Sequence, residues 1–503
     1  MEAKNVQIDE IRHRFEQILD NLHQGSEAGK RIDQAERQVF SDLLQLGLML
    51  IKYYLSLLSG TTHYRDAADN LLKKGYRSKG LFEGAYRSVF GKISLKKSRY
   101  FRENDSTGVS PLDEVAGFPE RMYSYVLDEW LGAGSAETNY PQACELLERI
   151  LGQPFKAMAP QRVTASLAGQ VGAYYEEEKP WAALPEEGAV LCAGFDGKGI
   201  PMVQRERGGV ADAPAVRLGK GQRKGVKKEA TLSVSFSIER KARTPQEVVD
   251  ALFKTPASKG QEPLQRSVWS KNKHMRAFLS ERQKAIEYGF DNPEVSGQAL
   301  LRRDATASKP IVILTDGDWK LIDDIEATML NKGVQKRVIA RILDIIHLLE
   351  YIWKVANAVW GEKHPEREKW VKRQLLLLLE SQTEQVISHW QDLSENEERS
   401  QSQKETIERS VTYLSNHREM VDYKAYLQQG LPISTGIVES ACGHLVKTRM
   451  EQNGMRWSHQ GAQAVLDTRA TYKNGDWDDF MEYFIVKEQR RLYGDKQLLR
   501  IRA

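Results

Sequence analysis

The sequence predicts an α/β domain that follows a mainly helical amino-terminal region. Residues 189–195 and 309–315 are continuous apolar runs, which are typical of strands buried on both faces, and each run ends next to an aspartate. Residues 230–239 alternate apolar and polar side chains and predict a further strand. Residues 9–59 have helical periodicity instead. Strands and helices therefore occupy different parts of the chain.

Composition and charge limit the protein class. The 503 residues have room for two to four domains, and 41% apolar with 28% charged residues is typical of a soluble folded protein. The net charge of +4 is small for this length, so affinity for nucleic acid must come from local patches. Cys144, Cys192 and Cys442 lie far apart and form no C-x-x-C pair, which argues against a disulfide framework or a zinc site. A reducing cytoplasm is expected.

No membrane segment is expected. The amino terminus lacks the apolar core of a secretory signal. The most apolar run, residues 43–58, is interrupted by Gln45, Gly47, Lys52 and Ser56, so it predicts a buried amphipathic helix.

The first 180 residues divide into a helical region, 1–85, and a region of hairpin and helices, 86–180. Alternation over residues 86–100 predicts a hairpin that turns near Gly91. Helices at 140–151 and 160–175, joined through Gly152, suggest a helix-turn-helix that binds DNA. Its second helix would present Gln161, Arg162, Thr164 and Ser166 to a groove. The alternative is an ordinary helix pair that binds nothing.

The following segments predict a ribonuclease-H-like core. Strands are expected at 189–195, 200–206, 230–239, 309–315 and 337–343, and helices at 263–288, 319–331 and 347–360. A three-stranded meander, a helix, a strand, a helix and a further strand is the element order of that fold. The predicted core covers 186–362 and 430–475, an all-helical insertion covers 363–429, and a carboxy-terminal helix with a basic tail covers 476–503.

Three acids are the candidate catalytic residues. Asp196 and Asp316 end buried strands, and Glu439 lies in the first turns of a later helix. An open sheet gathers functional groups at the carboxyl ends of its strands. Oxygen ligands without clustered cysteine or histidine favour Mg²⁺ or Mn²⁺, and two such ions about 4 Å apart would support phosphoryl transfer. The alternative is that Asp-Gly is ordinary turn chemistry and Glu439 caps its helix.

Five motifs occur in a recognisable order. They are Gly194-Phe-Asp-Gly197, Leu314-Thr-Asp-Gly317, Asp344-Ile-Ile-His347, Gly436-Ile-Val-Glu-Ser440 and Lys447-Thr-Arg-Met450. Together they resemble the DDE transposases of bacterial insertion sequences, specifically the ISKra group, which is related to the Mutator-type transposases. The resemblance covers most of the chain.

The resemblance implies a function and a site. Asp196, Asp316 and Glu439 would bind two Mg²⁺ or Mn²⁺ ions, and Asp344 and His347 would support the site. The protein would bind terminal inverted repeats, cleave double-stranded DNA and join the ends to target DNA, as a homodimer or higher oligomer in the bacterial cytoplasm. Asp344 or Asp318 is an alternative second ligand, and Asp344 with His347 is alternatively a local hydrogen-bonded pair.

Further DNA contacts are expected from basic residues. In the stretch 217–228, interpreted as a mobile loop, the candidates are Arg217, Lys220, Arg223, Lys224, Lys227 and Lys228. Lys447, Arg449 and Trp457 are candidates beside the last acid, although a tryptophan near a helix end is more often part of a core.

Two other functions are compatible with parts of the sequence. One is a DNA-binding regulator or scaffold derived from a transposase, against which the three intact acids count. The other is a haloacid-dehalogenase-like phosphatase, which needs an aspartate two residues after the first, where this chain has Lys198.

Overall fold

A computed structural model describes most of the chain. The described residues are 2–103, 108–177, 188–203, 227–253, 276–281, 304, 307–319, 322–323, 335–361, 363–434, 436, 438, 442–451 and 454–494. They form two compact units, Met1–Tyr174 with Asp476–Ala503, and Tyr175–Gly475. The predicted α/β class is confirmed, since described helices accompany a two-stranded and a five-stranded sheet.

The first unit is helical apart from one hairpin. Its elements are α1 (Glu2–Glu27), α2 (Ile32–Leu58), α3 (Thr62–Lys73), β1 (Arg77–Ser88), β2 (Gly91–Phe101), α4 (Pro111–Ala116), α5 (Tyr125–Glu137), α6 (Tyr140–Leu151), α7 (Ala159–Glu177, which crosses the unit boundary) and a last helix, Trp477–Tyr493. Leu55 of α2 packs on Ile93 of β2 and on Phe118, and these three side chains form a buried cluster.

The hairpin and α6 confirm two predictions. β1 and β2 pair antiparallel, but both strands are longer than predicted and the turn lies at residues 89–90, because Ser88 already pairs with Gly91. Helix α6 has the predicted bounds. The Asn139 side chain caps its start, and Gly152, with φ +65°, ends it in the left-handed conformation.

The carboxy-terminal helix completes the first unit. Trp477, Phe480 and Phe484 are buried, and the rings of Phe480 and Tyr174 lie 5.5 Å apart. The Gln489 side-chain amide donates hydrogen bonds to the Gly117 carbonyl, at 2.8 Å, and to the Tyr125 hydroxyl.

The second unit combines the five-stranded sheet with helices. Its elements are β3 (Val190–Pro201), β4 (Lys227–Ile238), α8 (Pro245–Leu252), β5 (Arg276–Glu281), β6 (Ile311–Thr315), β7 (Val338–Leu343), α9 (Ile345–Trp360), α10 (Glu366–Leu379), α11 (Thr383–Glu395), α12 (Gln401–Asn416), α13 (Tyr423–Gln428), a π-helical segment (Cys442–Lys447), α14 (Thr448–Met450) and α15 (His459–Lys473). The last helix of the first unit, Trp477–Tyr493, is α16.

The sheet has the order β5-β4-β3-β6-β7. β4 pairs antiparallel with both β3 and β5, whereas β6 runs parallel to β3 and β7 runs parallel to β6. β6 is buried along its whole length, as is the first half of β3. The carboxyl ends of β3, β6 and β7 therefore face the same edge of the sheet.

Two predicted elements differ from the structure. Residues 200–201 end β3 instead of starting a second strand, and β4 is the hairpin partner of β3; residues 204–206 lie outside the described part. Within the predicted helix 263–288, residues 276–281 form β5, and the others lie outside the described part. Pairing with β4 decided the conformation of β5, because tertiary contacts override local propensity.

No single described helix is long and apolar enough to cross a membrane. The bent pair Ile32–Leu58 and Thr62–Lys73 reaches the required length and apolarity only when the two helices are taken together.

Candidate functional site

Asp196 and Asp316 lie at the same level of two neighbouring parallel strands. Gly194 of β3 pairs with Leu314 of β6, so the residues two positions further along each chain are level with each other. Burial raises the pKa of Asp196. The Cys442 thiol, which hydrogen-bonds this carboxylate, opposes that rise, and the nearby charge of Asp316 adds to it. The structure thus brings the first two predicted acids together.

The loop that carries Asp316 is held by the helical insertion. The Tyr413 hydroxyl, on α12, donates a hydrogen bond of 2.6 Å to the Asp316 carbonyl. His417 Nε2 lies 2.6 Å from the carbonyl oxygen of Gly317. Gly317 has φ +94°, and a Cβ atom there would lie 2.7 Å from His417 Nε2, so both conformation and space require glycine.

An aromatic cluster lies beside this loop. The rings of Tyr351 and Tyr413 stack 3.9 Å apart, and His347 contacts both rings, at 5.6 and 5.9 Å. Trp319 stacks on His417 at 5.5 Å. Burial raises the pKa of Tyr413, and Tyr351 and Asp316 raise it further. Tyr413 is therefore a neutral hydrogen-bond donor at physiological pH.

Asp344 caps α9. It is 5% exposed, its Oδ1 accepts a hydrogen bond of 2.9 Å from the Ile346 amide, and its own amide donates to the Thr315 carbonyl. The carboxylate therefore stabilises the start of α9 in the position directly after β7. Asp318 is half-buried, and its amide donates to Asp316 Oδ1 at 3.2 Å.

Glu439 lies outside the described residues, but the residues on both sides of it contact β3. A Cβ atom on Gly194 would lie 2.2 Å from Val438 Cγ2, so the strand and this segment approach each other closely. Cys442 hydrogen-bonds the Asp196 carboxylate. Within the described part of the chain, no group of three or more His, Cys, Asp or Glu side chains is arranged to hold a metal ion. Of the predicted acids, Asp196, Asp316, Asp318 and Asp344 are among the described residues.

The basic stretch is only partly described. Arg217, Lys220, Arg223 and Lys224 lie outside the described residues. Lys227 and Lys228 belong to β4 and not to a loop, because they pair with Pro201 and Ile200. Lys227 Nζ lies 2.6 Å from Glu451 Oε1, so the ammonium group has an anionic partner within the chain.

Helix α7 presents part of the predicted DNA-contact set. Gln161 and Arg162 are exposed in its first turns. The prediction for Thr164 is wrong: its side chain is fully buried, and its hydroxyl donates to the Pro160 carbonyl. Ser166 is half-buried and accepts a hydrogen bond of 2.9 Å from Arg121. Residues 152–158 separate α6 from α7, which is longer than the usual turn of a helix-turn-helix.

Two of the three candidates after Glu439 are core residues. Arg449 is 2% exposed, and its guanidinium group lies 5.1 Å from the Trp457 ring centroid. Trp457 is buried, its indole N–H donates to the Met450 carbonyl, and its backbone bonds to the end of β3 at Pro201. The predicted DNA contacts of Arg449 and Trp457 are therefore wrong, because neither side chain faces solvent. Lys447 is exposed.

Three residues near the acids were missed from the sequence. Cys442 follows Glu439 by three residues, about one helical turn, and this spacing was an available signal. Tyr413 and His417 gave no signal, since they lie about 100 residues after the loop that they hold.

Searches of the chain against protein-family models and against curated proteins find no match. The function must therefore be inferred from the geometry of the site.

Proposed function

We propose that this chain is a DDE-type transposase that cleaves DNA ends and joins them to target DNA. The observation that carries the proposal is the pair of interacting carboxylates, Asp196 and Asp316, on adjacent parallel strands. Val438 and Cys442, which flank Glu439 in sequence, both contact β3. These contacts support Glu439 as the third acid of the same site.

The sheet supports a ribonuclease-H-like core under this proposal. Numbered by sequence, its strands have the order 3-2-1-4-5, with an antiparallel meander followed by two strands parallel to the first. The antiparallel meander followed by parallel strands supports the predicted architecture, although its second and third strands are β4 and β5 and the third lies within the predicted helix 263–288.

The donor set suits Mg²⁺ or Mn²⁺. Burial and the neighbouring charge of Asp316 raise the pKa of Asp196, and a bound divalent cation would offset both effects. Asp196, Asp316 and Glu439 would hold the metal, with Asp318 and Asp344 as alternatives for the second ligand. When bound, such ions activate the attacking oxygen and stabilise the leaving oxygen of a phosphoryl transfer.

The surrounding residues keep the carboxylates in place. The Cys442 thiol orients Asp196 through its hydrogen bond. Tyr413 and His417 fix the backbone of Asp316 and Gly317, so the second carboxylate is carried by a restrained loop. Asp344 caps α9, and His347 packs in the aromatic cluster; both act as positioning residues.

Double-stranded DNA is the substrate in this proposal. Arg162 and Lys447 are exposed cations, and Gln161 is an exposed hydrogen-bonding group, which suits contacts to the phosphate backbone and to base edges. Terminal inverted repeats would be bound by the first unit and cut by the second.

The test is metal-dependent cleavage by the purified full-length chain. The substrate is a supercoiled plasmid that carries the genomic DNA on both sides of the coding sequence, with Mg²⁺ or Mn²⁺ added. We expect the wild type to nick or excise at the element ends. Asp196→Asn, Asp316→Asn and Glu439→Gln should each lower cleavage by at least about 1,000-fold, since removing one catalytic charge costs several kcal/mol. Calorimetric Mn²⁺ binding should weaken in the same three variants.

The exposed Asp323 provides the matched control, since Asp323→Asn changes the same charge in the same unit. Full cleavage by Asp196→Asn would contradict the site assignment. Binding of the DNA without cleavage in either metal would favour the regulator or scaffold. If Asp316→Asn cleaves normally and Asp318→Asn or Asp344→Asn does not, the second ligand is one of the alternatives.

A further inference from the structure

The amino-terminal helical hairpin has an exposed apolar surface that neither unit's core uses. We call it the apolar stripe. It consists of Phe15, Leu19 and Leu22 on α1 and of Ile32, Leu43, Leu50, Tyr54 and Leu57 on α2, all more than a third exposed. Isolated exposed apolar residues are ordinary, whereas several on one helix face, such as Leu43, Leu50, Tyr54 and Leu57, are not.

The stripe occupies its own face of α2. A second face packs on the hairpin strands through Leu48, Ile51, Leu55 and Leu58. A third face meets α1, where Asp42 pairs with Arg14 and Ser56 bonds to Gln7. At about 100° per residue the three faces are roughly 120° apart. Packing within the hairpin and against β2 therefore leaves the stripe uncovered.

Both helices contribute to one side of the hairpin. Arg14 contacts Asp42 and Gln7 contacts Ser56, so α1 and α2 run antiparallel. Viewed along each helix from its amino terminus, the stripe is reached by turning in the same direction from the face that contacts the other helix. Because the helices run in opposite directions, that rotation brings both rows to the same side. The spacing of 3, 4 and 7 residues is the one that helix packing uses.

The size of the stripe matches a stable interface. Its exposed side chains amount to on the order of 700 Å² per chain, close to the roughly 800 Å² per partner of a standard interface. The patch is also larger than most of those on monomeric proteins, which reach about 300–600 Å².

Charge argues against a phosphate-bearing partner. Residues 2–58 contain seven basic and nine acidic side chains, a net charge of −2. An anionic lipid surface or DNA would meet repulsion there, since both are bound by basic faces. Two copies of a nearly neutral hairpin do not repel each other appreciably.

We propose that the apolar stripe is the surface through which two copies of this chain form a dimer without DNA. Two helical hairpins that meet face to face make a four-helix bundle with twofold symmetry, in which each stripe covers the other. The proposal does not depend on any step of the proposed transposition.

The experiment measures the mass of the DNA-free full-length chain by sedimentation at several concentrations. We expect a dimer for the wild type. Leu43→Glu together with Leu50→Glu should weaken the dimer about 100-fold or more, because two buried apolar contacts are replaced by charges. Gln34→Glu together with Ser41→Glu adds the same two charges to exposed positions of α2 outside the stripe and should leave the dimer intact.

A second measurement covers the case in which the double glutamate variant fails to fold. The three native cysteines are buried, so Leu50→Cys provides one accessible thiol for a flexible bis-maleimide. Rapid cross-linking to a covalent dimer is expected, and Gln34→Cys should cross-link more slowly. A monomeric wild type, or equal cross-linking at both positions, would overturn the proposal. Co-flotation of a monomeric wild type with neutral phosphatidylcholine vesicles would also overturn the proposal, because the stripe would then bind lipid instead of a second chain.

Discussion

Asp128 is a buried carboxyl group in the first unit, far in sequence from the proposed site. Its side chain has no exposed surface, and Arg121 Nη2 lies 3.2 Å from Oδ2. Burial raises the pKa of Asp128 to about 7, against the attraction of Arg121 and with a further rise from Glu488. The folded unit therefore takes up a proton that the unfolded chain releases near pH 4.

This difference predicts a pH-dependent stability. Between about pH 4 and 7 the folded state binds more protons than the unfolded state, so the free energy of unfolding falls as pH rises and levels off above 7. An asparagine at this position would not titrate, and each pKa unit corresponds to about 1.4 kcal/mol. The free energy of unfolding of Asp128→Asn should therefore rise by about 2–4 kcal/mol relative to that of the wild type between about pH 4 and 7. Urea unfolding at pH 5, 6, 7 and 8 measures it. Glu83→Gln, at an exposed position of β1, should have the same pH dependence of unfolding as the wild type. The prediction would be contradicted if Asp128→Asn also had the pH dependence of the wild type.

At the level of elements, β3 packs closely against Val438, the residue that precedes the proposed third acid in sequence. Gly194 leaves no room for a side chain, because a Cβ atom would overlap Val438 Cγ2 at 2.2 Å. Close packing thus explains the glycine at position 194, and the Asp196-Gly197 step is not a turn, because both residues pair with β4 within β3.

Gly194→Ala should push the segment of Val438 away from the strand. We expect a loss of about 1–3 kcal/mol in stability, typical of an overpacked core, together with weaker Mn²⁺ binding. In the double variant Gly194→Ala, Val438→Ala, the second substitution removes the two γ-methyl groups of Val438 and so makes room for the added Cβ atom. Most of the metal affinity should return. Thermal unfolding and calorimetry give both quantities. Gly172→Ala in α7, where nothing lies within 4 Å of the added atom, is the control. A double variant no better than Gly194→Ala would rule out this steric account.

The sequence predicted those elements whose own residues determine them. The first half of β3, all of β6 and most of β7 are apolar, and α6 has an asparagine cap and a terminal glycine, so local composition was sufficient there. β5 was predicted as helix because its partners in β4 lie 41 to 51 residues earlier, from the pair Ser235 and Arg276 to the pair Ala230 and Glu281. The residues of β5 alone do not indicate which distant strand they pair with.

The candidate site was predictable to a similar extent. Asp196 and Asp316 were found because each follows an apolar run, and the parallel register brings them level. Asp196 does not end its strand as predicted, because β3 continues to Pro201 through its pairing with β4. Burial was not predictable: Thr164 and Arg449 have polar side chains that suggest a surface, yet both lie in the interior. Their positions depend on neighbours, such as Trp457 beside Arg449, that folding alone supplies.

At the scale of the whole molecule, the first unit is built from both ends of the chain. Its carboxy-terminal part, α16, contributes buried aromatic side chains, and Tyr493 donates a hydrogen bond of 2.7 Å to the Phe118 carbonyl. The second unit uses residues from a single continuous stretch.

Truncation after Gly475 should therefore damage the first unit selectively. Loss of Trp477, Phe480 and Phe484 removes buried aromatic contacts worth about 3–5 kcal/mol each. We expect trypsin to digest the first unit rapidly while a fragment from the second unit persists, as identified by mass spectrometry. A chain ending at Gly494 keeps α16 and should resist like the full-length chain. Preferential loss of the second unit would contradict the division into these two units.

During synthesis of the chain, the hydrogen bonds from Tyr413 and His417 to the Asp316 loop can form only after residues 413 and 417 have been added. Residue 417 leaves the ribosome 100 residues after the Gly317 carbonyl that it contacts, which takes roughly 5–20 s at about 5–20 residues per second. A nascent chain that stops within that interval displays Asp196 and Asp316 without the groups that hold the second of them. Chains that end within that interval, before residue 413, lack both groups that restrain the Asp316 loop.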